Sequence, residues 1–160
     1  MALATLGAGC FWGVEHFLRQ IDGVLNTRCG YMGGHLDNPT YQQVKQGSTG
    51  HAEVVQIEFD PDRTGFEAIL EVFWQYHNPT TRHRQGDDLG SQYRSVIFYH
   101  DASQREVAEQ SKASQQAHGY WRDKPIVTEI APAQPFWRAE EYHQNYLEKN
   151  DQPSCHLPFY

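Results

Sequence analysis

In the stretch GAGCFWGVEHF, a single cysteine, Cys10, stands between a small-residue turn and two large aromatics, Phe11 and Trp12. An apolar run precedes it and a helical pattern follows, so Cys10 falls where a helix begins. A sulfur there meets unpaired backbone N–H groups and the positive end of the helix dipole, and both favour thiolate. Gly7 and Gly9 let a second molecule approach the backbone closely. The other reading of a lone cysteine is a small buried hydrophobe. The neighbouring rings favour the nucleophile. Two bulky aromatics cannot both point into a core from a helix's first turn, so at least one is expected beside the sulfur as a wall for an apolar group.

Glu53 is the second residue with chemistry in its spacing. In HAEVVQIEFD, alternation puts it on one face with Val55, Ile57 and Phe59, opposite Ala52, Val54, Gln56 and Glu58. The first set is the core face, and a carboxyl pointing that way loses hydration, keeps its proton and can act as a general acid. The alternative is a strand-end glutamate that turns out to water. Tyr41 follows Asn38-Pro39-Thr40, and Tyr93 follows Leu89-Gly90-Ser91-Gln92. With Asp87 and Asp88 of the polar stretch TTRHRQGDDLGS, they supply hydroxyl donors and a carboxylate for a pocket. Cys155 lies in the tail DQPSCHLPFY. At ~3.3–3.6 Å per residue, an extended tail carries that sulfur roughly 15 Å beyond the last helix, where a thiol suits attack on an oxidised partner better than packing. Cys29, beside Gly30 in a strand, reads as buried, with a second thiol role as its alternative.

The elements that must hold these residues follow from periodicity. Residues 2–6 read as a strand and 11–20 as a helix, with Val14, Phe17, Leu18 and Ile21 on one stripe. VLNTRCGY predicts a second strand, HAEVVQIEFD a third, and GFEAILEVFWQYH a helix with Phe66, Ile69, Leu70 and Phe73 inward. QYRSVIFYH gives a fourth strand, and Asp101 or Ser103 caps a polar helix to about residue 118. PIVTEI predicts a last short strand, FWRAEEYHQNYLEKN a last helix, and the tail reads as coil. The order β-α-β-β-α-β to residue 100 is the split βαβ arrangement: an α+β, ferredoxin-like sandwich with a mainly antiparallel sheet and extra C-terminal helices. Residues 1–160 are expected to form one catalytic domain, with 150–160 a mobile tail.

Composition narrows the function classes. The chain has 160 residues, enough for one core-forming domain, with 39% hydrophobic and 21% charged residues. A net charge of −7 argues against a nucleic-acid partner. No basic segment leads into a hydrophobic one, so neither a signal peptide nor a membrane span is expected. Three cysteines form no disulfide framework, and despite nine histidines no C-x-x-C or H-x-x-x-H spacing suggests a metal.

GCFWG (9–13), GYMGG (30–34), NPTYQQV (38–44), GHAEVVQIEFDP (50–61), RQGDDLGSQYRS (84–95), PIVTEI (125–130) and AEEYHQNYLEKN (139–150) together resemble the peptide methionine sulfoxide reductase A family, in order over nearly the whole chain. The resemblance implies a thioredoxin-dependent oxidoreductase that reduces the S epimer of methionine sulfoxide, free or in proteins, without metal or organic cofactor. It implies that Cys10 attacks the sulfoxide sulfur, that neutral Glu53 protonates the departing oxygen with help from Tyr41 and Tyr93, and that Asp88 orients substrate or water. Phe11 and Trp12 would hold the S-methyl group. Cys155 would close a disulfide with the Cys10 sulfenic acid, and thioredoxin would reopen it. The setting implied is protein repair after oxidative damage in a reducing cytoplasm. Nothing in the sequence suggests a large apolar interface, so a monomer is expected.

Two rival readings use the same residues. A cysteine hydrolase would draft His143 as base and Asn145 to orient it, but leaves Cys155 without a task. A binding module for exposed methionine would use the Phe11–Trp12 wall and leave a core-facing Glu53 unexplained.

Overall fold

Four strands build the centre of the molecule. The computed structural model describes residues 1–154 and 156–160. The chain runs through β1 (Ala2–Ala8), α1 (Phe11–Arg19), β2 (Val24–Met32), α2 (Tyr41–Lys45), β3 (Ala52–Phe59) and α3 (Phe66–Gln75). It continues with the short strands β4 (Arg84–Gln85) and β5 (Asp88–Leu89), then β6 (Ser95–Tyr99) and α4 (Ala102–His118). Last come β7 (Glu129–Pro132), β8 (Trp137–Arg138) and α5 (Tyr146–Lys149). The main sheet has the order β7-β6-β1-β3-β2-β8. All its pairings are antiparallel except β6–β7. The inner order β6-β1-β3-β2 with two crossover helices is the split βαβ sandwich expected from the sequence.

The alternation of β3 sets the two faces. Val55, Ile57 and Phe59 enter the larger core cluster with Phe17 and Leu18 of α1 and Ile69, Leu70 and Phe73 of α3. Ala52 and Val54 point the other way, against Met32, Val96, Phe98 and Phe136. Helix α4 is polar because only a narrow stripe is covered: Gln104, Ala108, Ser111 and Gln115. Asp101 is its cap, accepting the Gln104 N–H at 2.8 Å. Ser111 accepts the Trp74 indole N–H at 2.8 Å, tying α4 to α3.

Four segments differ from expectation. NPTYQQV contains α2, closed by a capping box of Thr40 and Gln43. The polar stretch before β6 contains the β4–β5 hairpin, turned at Gly86 (φ 57°). The last parallel strand starts at Glu129 rather than Pro125, because the Ile126 and Val127 amides are already engaged by the Gln116 side chain and the Pro79 carbonyl. The single helix expected over 136–150 is broken into β8, a 3-10 turn at Glu141–His143 and the one-turn α5. The outer edge of β2 causes this. Ala139 N–H donates to the Cys29 carbonyl at 2.9 Å, and the Gln144 amide closes on both backbone groups of Cys29, at 2.8 and 3.0 Å. Asn145 then turns left-handed at φ 56° to start α5. Satisfying an open strand edge outweighs local helix propensity here.

Helix α5 is followed by coil, as expected, but the described end of the tail lies against the body. Phe159 N–H donates to the Gln75 carbonyl at 2.8 Å, and the Phe159 and Tyr160 rings pack on Trp121 and Tyr120. Cys155 lies outside the described residues. No helix among them is long and apolar enough to cross a membrane.

Candidate active site

An antiparallel sheet gathers distant residues at one edge. The end of β1 lies beside the start of β6 through the pair Ala8 and Ser95. The start of β3 lies beside the end of β2 through the pair Glu53 and Tyr31. Cys10 follows β1, Glu53 opens β3, and Tyr93 precedes β6, so all three arrive at this edge.

Cys10 is the N-cap residue of α1 and is half-buried, and its carbonyl accepts the Val14 N–H at 3.3 Å. The turn before it needs Gly9, at φ 99°, where a Cβ would also meet the Gln85 side chain at 2.7 Å. Glu53 is 1% exposed. Its Oε1 accepts the Phe11 N–H at 3.2 Å, the first amide after Cys10. Burial pushes the carboxyl up to about 8, with the charge of Asp88 adding to the rise and the Phe11 bond and Lys45 opposing it. Glu53 Oε2 is buried and has no hydrogen-bond partner among the described residues.

Tyr41 and Tyr93 lie within reach of the charge of this carboxyl. Burial, and then the charges of Glu53 and Cys10, push the Tyr41 hydroxyl up to about 12. Burial raises Tyr93 as well, followed by the charges of Glu53, Tyr41, Asp88 and Cys10. Both phenols therefore keep their protons and can donate. Asp88 lies on β5 and is exposed, with its charge felt at Glu53, Tyr41 and Tyr93. Asp87 and Asp88 border a cleft of about 450 Å³ that His156 and Phe159 line from the tail side.

The two aromatics after Cys10 part ways. Phe11, which the resemblance pairs with Trp12 at the S-methyl group, is fully buried against the rings of Tyr31, Tyr41 and His143. Trp12 is half-buried and stacks on Tyr146 at 3.7 Å with an interplanar angle of 7°. Of the two rings, the indole is the one that reaches the surface, and Phe11 is packed inside.

Two residues that hold this arrangement are not singled out by their own spacing. Glu140 accepts the Tyr41 N–H and the Tyr31 hydroxyl, each at 2.9 Å. Burial pushes Glu140 up, but these bonds outweigh it and keep the carboxyl below its ordinary value. His143 is fully buried, accepts the Trp12 indole N–H at 2.9 Å on Nδ1, and packs on the Tyr41 ring at 4.4 Å. Burial lowers its pKa, so the ring is a neutral acceptor that fixes Trp12. A Cys-His-Asn relay is not assembled here. Asn145 Oδ1 accepts from Arg19 at 2.6 Å and its N–H donates to Glu15, so it does not orient His143.

Cys29 is fully buried, with Sγ 3.3 Å from Glu15 Oε1 and 3.6 Å from the Phe11 carbonyl. Burial, and then the Glu15 charge, push its thiol well above the ordinary range. Among the described residues, no group of three or more His, Cys, Asp or Glu side chains could hold a metal ion.

The chain matches the family model described as peptide methionine sulfoxide reductase over residues 2–160. It is 59% identical over 154 residues to the peptide methionine sulfoxide reductase of Methanothermobacter thermautotrophicus, covering 96% of this chain and 90% of the relative. Among solved structures, reduced Mxr1 from Saccharomyces cerevisiae superposes with a TM-score of 0.91 at 36% identity, covering 98% of this chain and 91% of that one. Mxr1 in complex with Trx2 gives 0.66 at 25% identity, with coverages of 98% and 88%. The family model, the curated relative and the superposed structure lead to the same conclusion: the chain belongs to the peptide methionine sulfoxide reductase family.

Proposed function

We propose that this protein reduces methionine-S-sulfoxide, free or within proteins, to methionine, using Cys10 as the nucleophile. A sulfoxide oxygen is a poor leaving group until it is protonated, so the reaction needs an acid beside the sulfur. The observation that carries the reading is the buried Glu53 carboxyl, protonated up to about pH 8 and bonded to the amide next to Cys10. The Cys10 sulfur attacks the sulfoxide sulfur while Glu53 passes its proton to the oxygen. The Tyr41 and Tyr93 hydroxyls donate to that oxygen as negative charge gathers on it. Trp12 receives the S-methyl group, with Phe11 packed behind it, and Asp88 orients substrate or water. Oxygen transfer leaves methionine and a Cys10 sulfenic acid.

Cys155 then condenses with the sulfenic acid to a disulfide, releasing water. A thioredoxin-type dithiol reopens it, which is why the Mxr1–Trx2 complex is relevant. No metal or organic cofactor is needed by these steps. The cycle suits a monomer repairing oxidised proteins in a reducing cytoplasm.

The test is single-turnover reduction of the two resolved sulfoxide epimers, without added reductant, counting thiols before and after. Methionine from the S epimer alone, with two thiols lost per chain, supports the reading, and Cys155→Ser should then lose one. No methionine from either epimer, by folded and fully reduced protein, would sink it.

A further inference from the structure

His156, the residue bonded to Cys155, is a buried polar side chain to which the catalytic assignment gives no task. Its Nε2–H donates to the Ala8 carbonyl at 2.7 Å, two residues before Cys10. The same nitrogen lies 3.2 Å from where a Cβ on Gly9 would stand. The ring packs on Phe17 of α1, the helix that opens at Cys10, with centroids 5.6 Å apart. One side chain thus touches the strand, the turn and the helix that together present the cysteine. The far end of the tail has its own attachment, through Phe159 and Tyr160 on Gln75, Trp121 and Tyr120. The His156 bond adds something different, a directional polar tie at the cysteine turn itself.

We propose that His156 is a positioning residue for the recycling half-reaction, pinning the tail so that the Cys155 thiol meets the Cys10 sulfenic acid as a tethered partner. The proposal rests on the reading above, with Cys10 as nucleophile and Cys155 as recycling thiol. In this step the Cys155 sulfur bonds to the Cys10 sulfur and the sulfenic S–O bond breaks. The oxygen leaves as water, taking its own hydrogen and the thiol proton. No external oxidant or reductant enters; a dithiol is needed only afterwards, to reopen the disulfide. Tethering raises the effective concentration of the attacking thiol without altering its chemistry. Oxygen transfer from substrate to Cys10 uses no atom of His156, so the pin acts on the second half-reaction alone.

The experiment follows both halves in one turnover with the S epimer and no reductant. Methionine is quantified chromatographically, and sulfenic acid and disulfide by mass spectrometry after trapping with dimedone. His156→Ala is expected to form methionine at the parent rate but to close the disulfide about tenfold more slowly or worse, so that trapped sulfenic acid accumulates. His156→Gln keeps an N–H donor and is expected to restore most of the closure rate. Equal closure rates in parent and variants overturn the proposal, as does a parallel loss in both halves, which marks a merely structural histidine. If the parent yields methionine but loses only one thiol, the Cys155 assignment falls and the pin with it. If the parent yields no methionine at all, the Cys10 reading itself has failed.

Discussion

The backbone N–H of Phe11 donates to Oε1 of Glu53 at 3.2 Å, across forty-two positions of sequence. This bond joins the first amide after the cysteine to a carboxyl strongly altered by its burial. It also divides the work of the two oxygens. Oε1 is an acceptor for a backbone donor, so in the neutral carboxyl the proton sits on Oε2, which has no other hydrogen-bond partner among the described residues. A buried, unpartnered acid is costly for the fold, and a substrate oxygen arriving there would satisfy it. The fold therefore buries a protonated carboxyl on the amide next to Cys10, which is what the proposed acid role requires.

Glu53→Gln keeps the shape of the side chain and an oxygen for the Phe11 N–H, but removes the transferable proton. Single-turnover methionine formation is expected to fall about 10²- to 10⁴-fold, the range of general acid catalysis, while the far-ultraviolet circular dichroism stays that of the parent. A rate within a factor of two of the parent would remove Glu53 from the acid role.

The pH dependence has a definite sign. Burial first, and then the Asp88 charge, raise Glu53 from 4.5 to about 8, so oxygen transfer should not be limited by loss of this proton until pH rises through about 8. The same shift links to stability. Because the folded state holds the proton more tightly than the unfolded chain, the contribution is full below about 4.5, declines as pH rises toward about 8, and is lost beyond it. Denaturant titrations should find Glu53→Gln close to the parent at pH 5. At pH 9 the variant should be the more stable, by an amount on the order of a few kcal/mol. Parallel stabilities across that range would mean that Glu53 is not neutral in the folded protein.

Tyr41 and Tyr93 both feel the charge of the same carboxyl, and each is held in its donor form by burial. Removing one hydroxyl leaves the other in reach, so Tyr41→Phe and Tyr93→Phe are each expected to lose about tenfold in methionine formation, the worth of one hydrogen bond. The double variant should lose about 10²- to 10³-fold, as when a charge-stabilising donor set is dismantled. Strict additivity of two negligible effects would remove both from the chemistry.

Cys10 and Glu53 were readable because each lies on a strong period. Helix onset after Gly9 locates the sulfur, and strict alternation in β3 turns Glu53 inward with Val55 and Ile57. The antiparallel core followed from the same two periods. The third dimension of the site was not readable. In AEEYHQNYLEKN the spacing favours a helix, and a helix would have pointed Glu140 and His143 at neighbours along their own element. Those residues instead serve β2, Tyr41 and Trp12, because Gln144 and Ala139 satisfy the open edge at Cys29. Backbone demand from a strand over a hundred positions away leaves no periodic trace in the segment that answers it. Phe11 illustrates the same limit. Spacing left open which of Phe11 and Trp12 turns inward, and the packed rings of Tyr31, Tyr41 and His143 decide it for Phe11.

Cys29 is the last residue with two sequence readings, and its surroundings argue against a thiol that takes part in recycling. Attack on a sulfenic acid needs thiolate, and burial followed by the Glu15 charge holds the Cys29 thiol well above its ordinary range. Its S–H faces Glu15 Oε1 at 3.3 Å, which makes it a donor in a buried network that also takes in the Thr27 hydroxyl and the Asn145 N–H. Cys29→Ala should therefore destabilise the fold by about 1–3 kcal/mol in urea unfolding, through a small cavity and one lost bond to a buried carboxylate. Catalysis should be indifferent: the S epimer should still yield methionine at the parent rate, with two thiols lost per chain. Arrest at a single oxidised thiol in this variant would reverse the assignment and make Cys29, rather than Cys155, the sulfur that closes on Cys10.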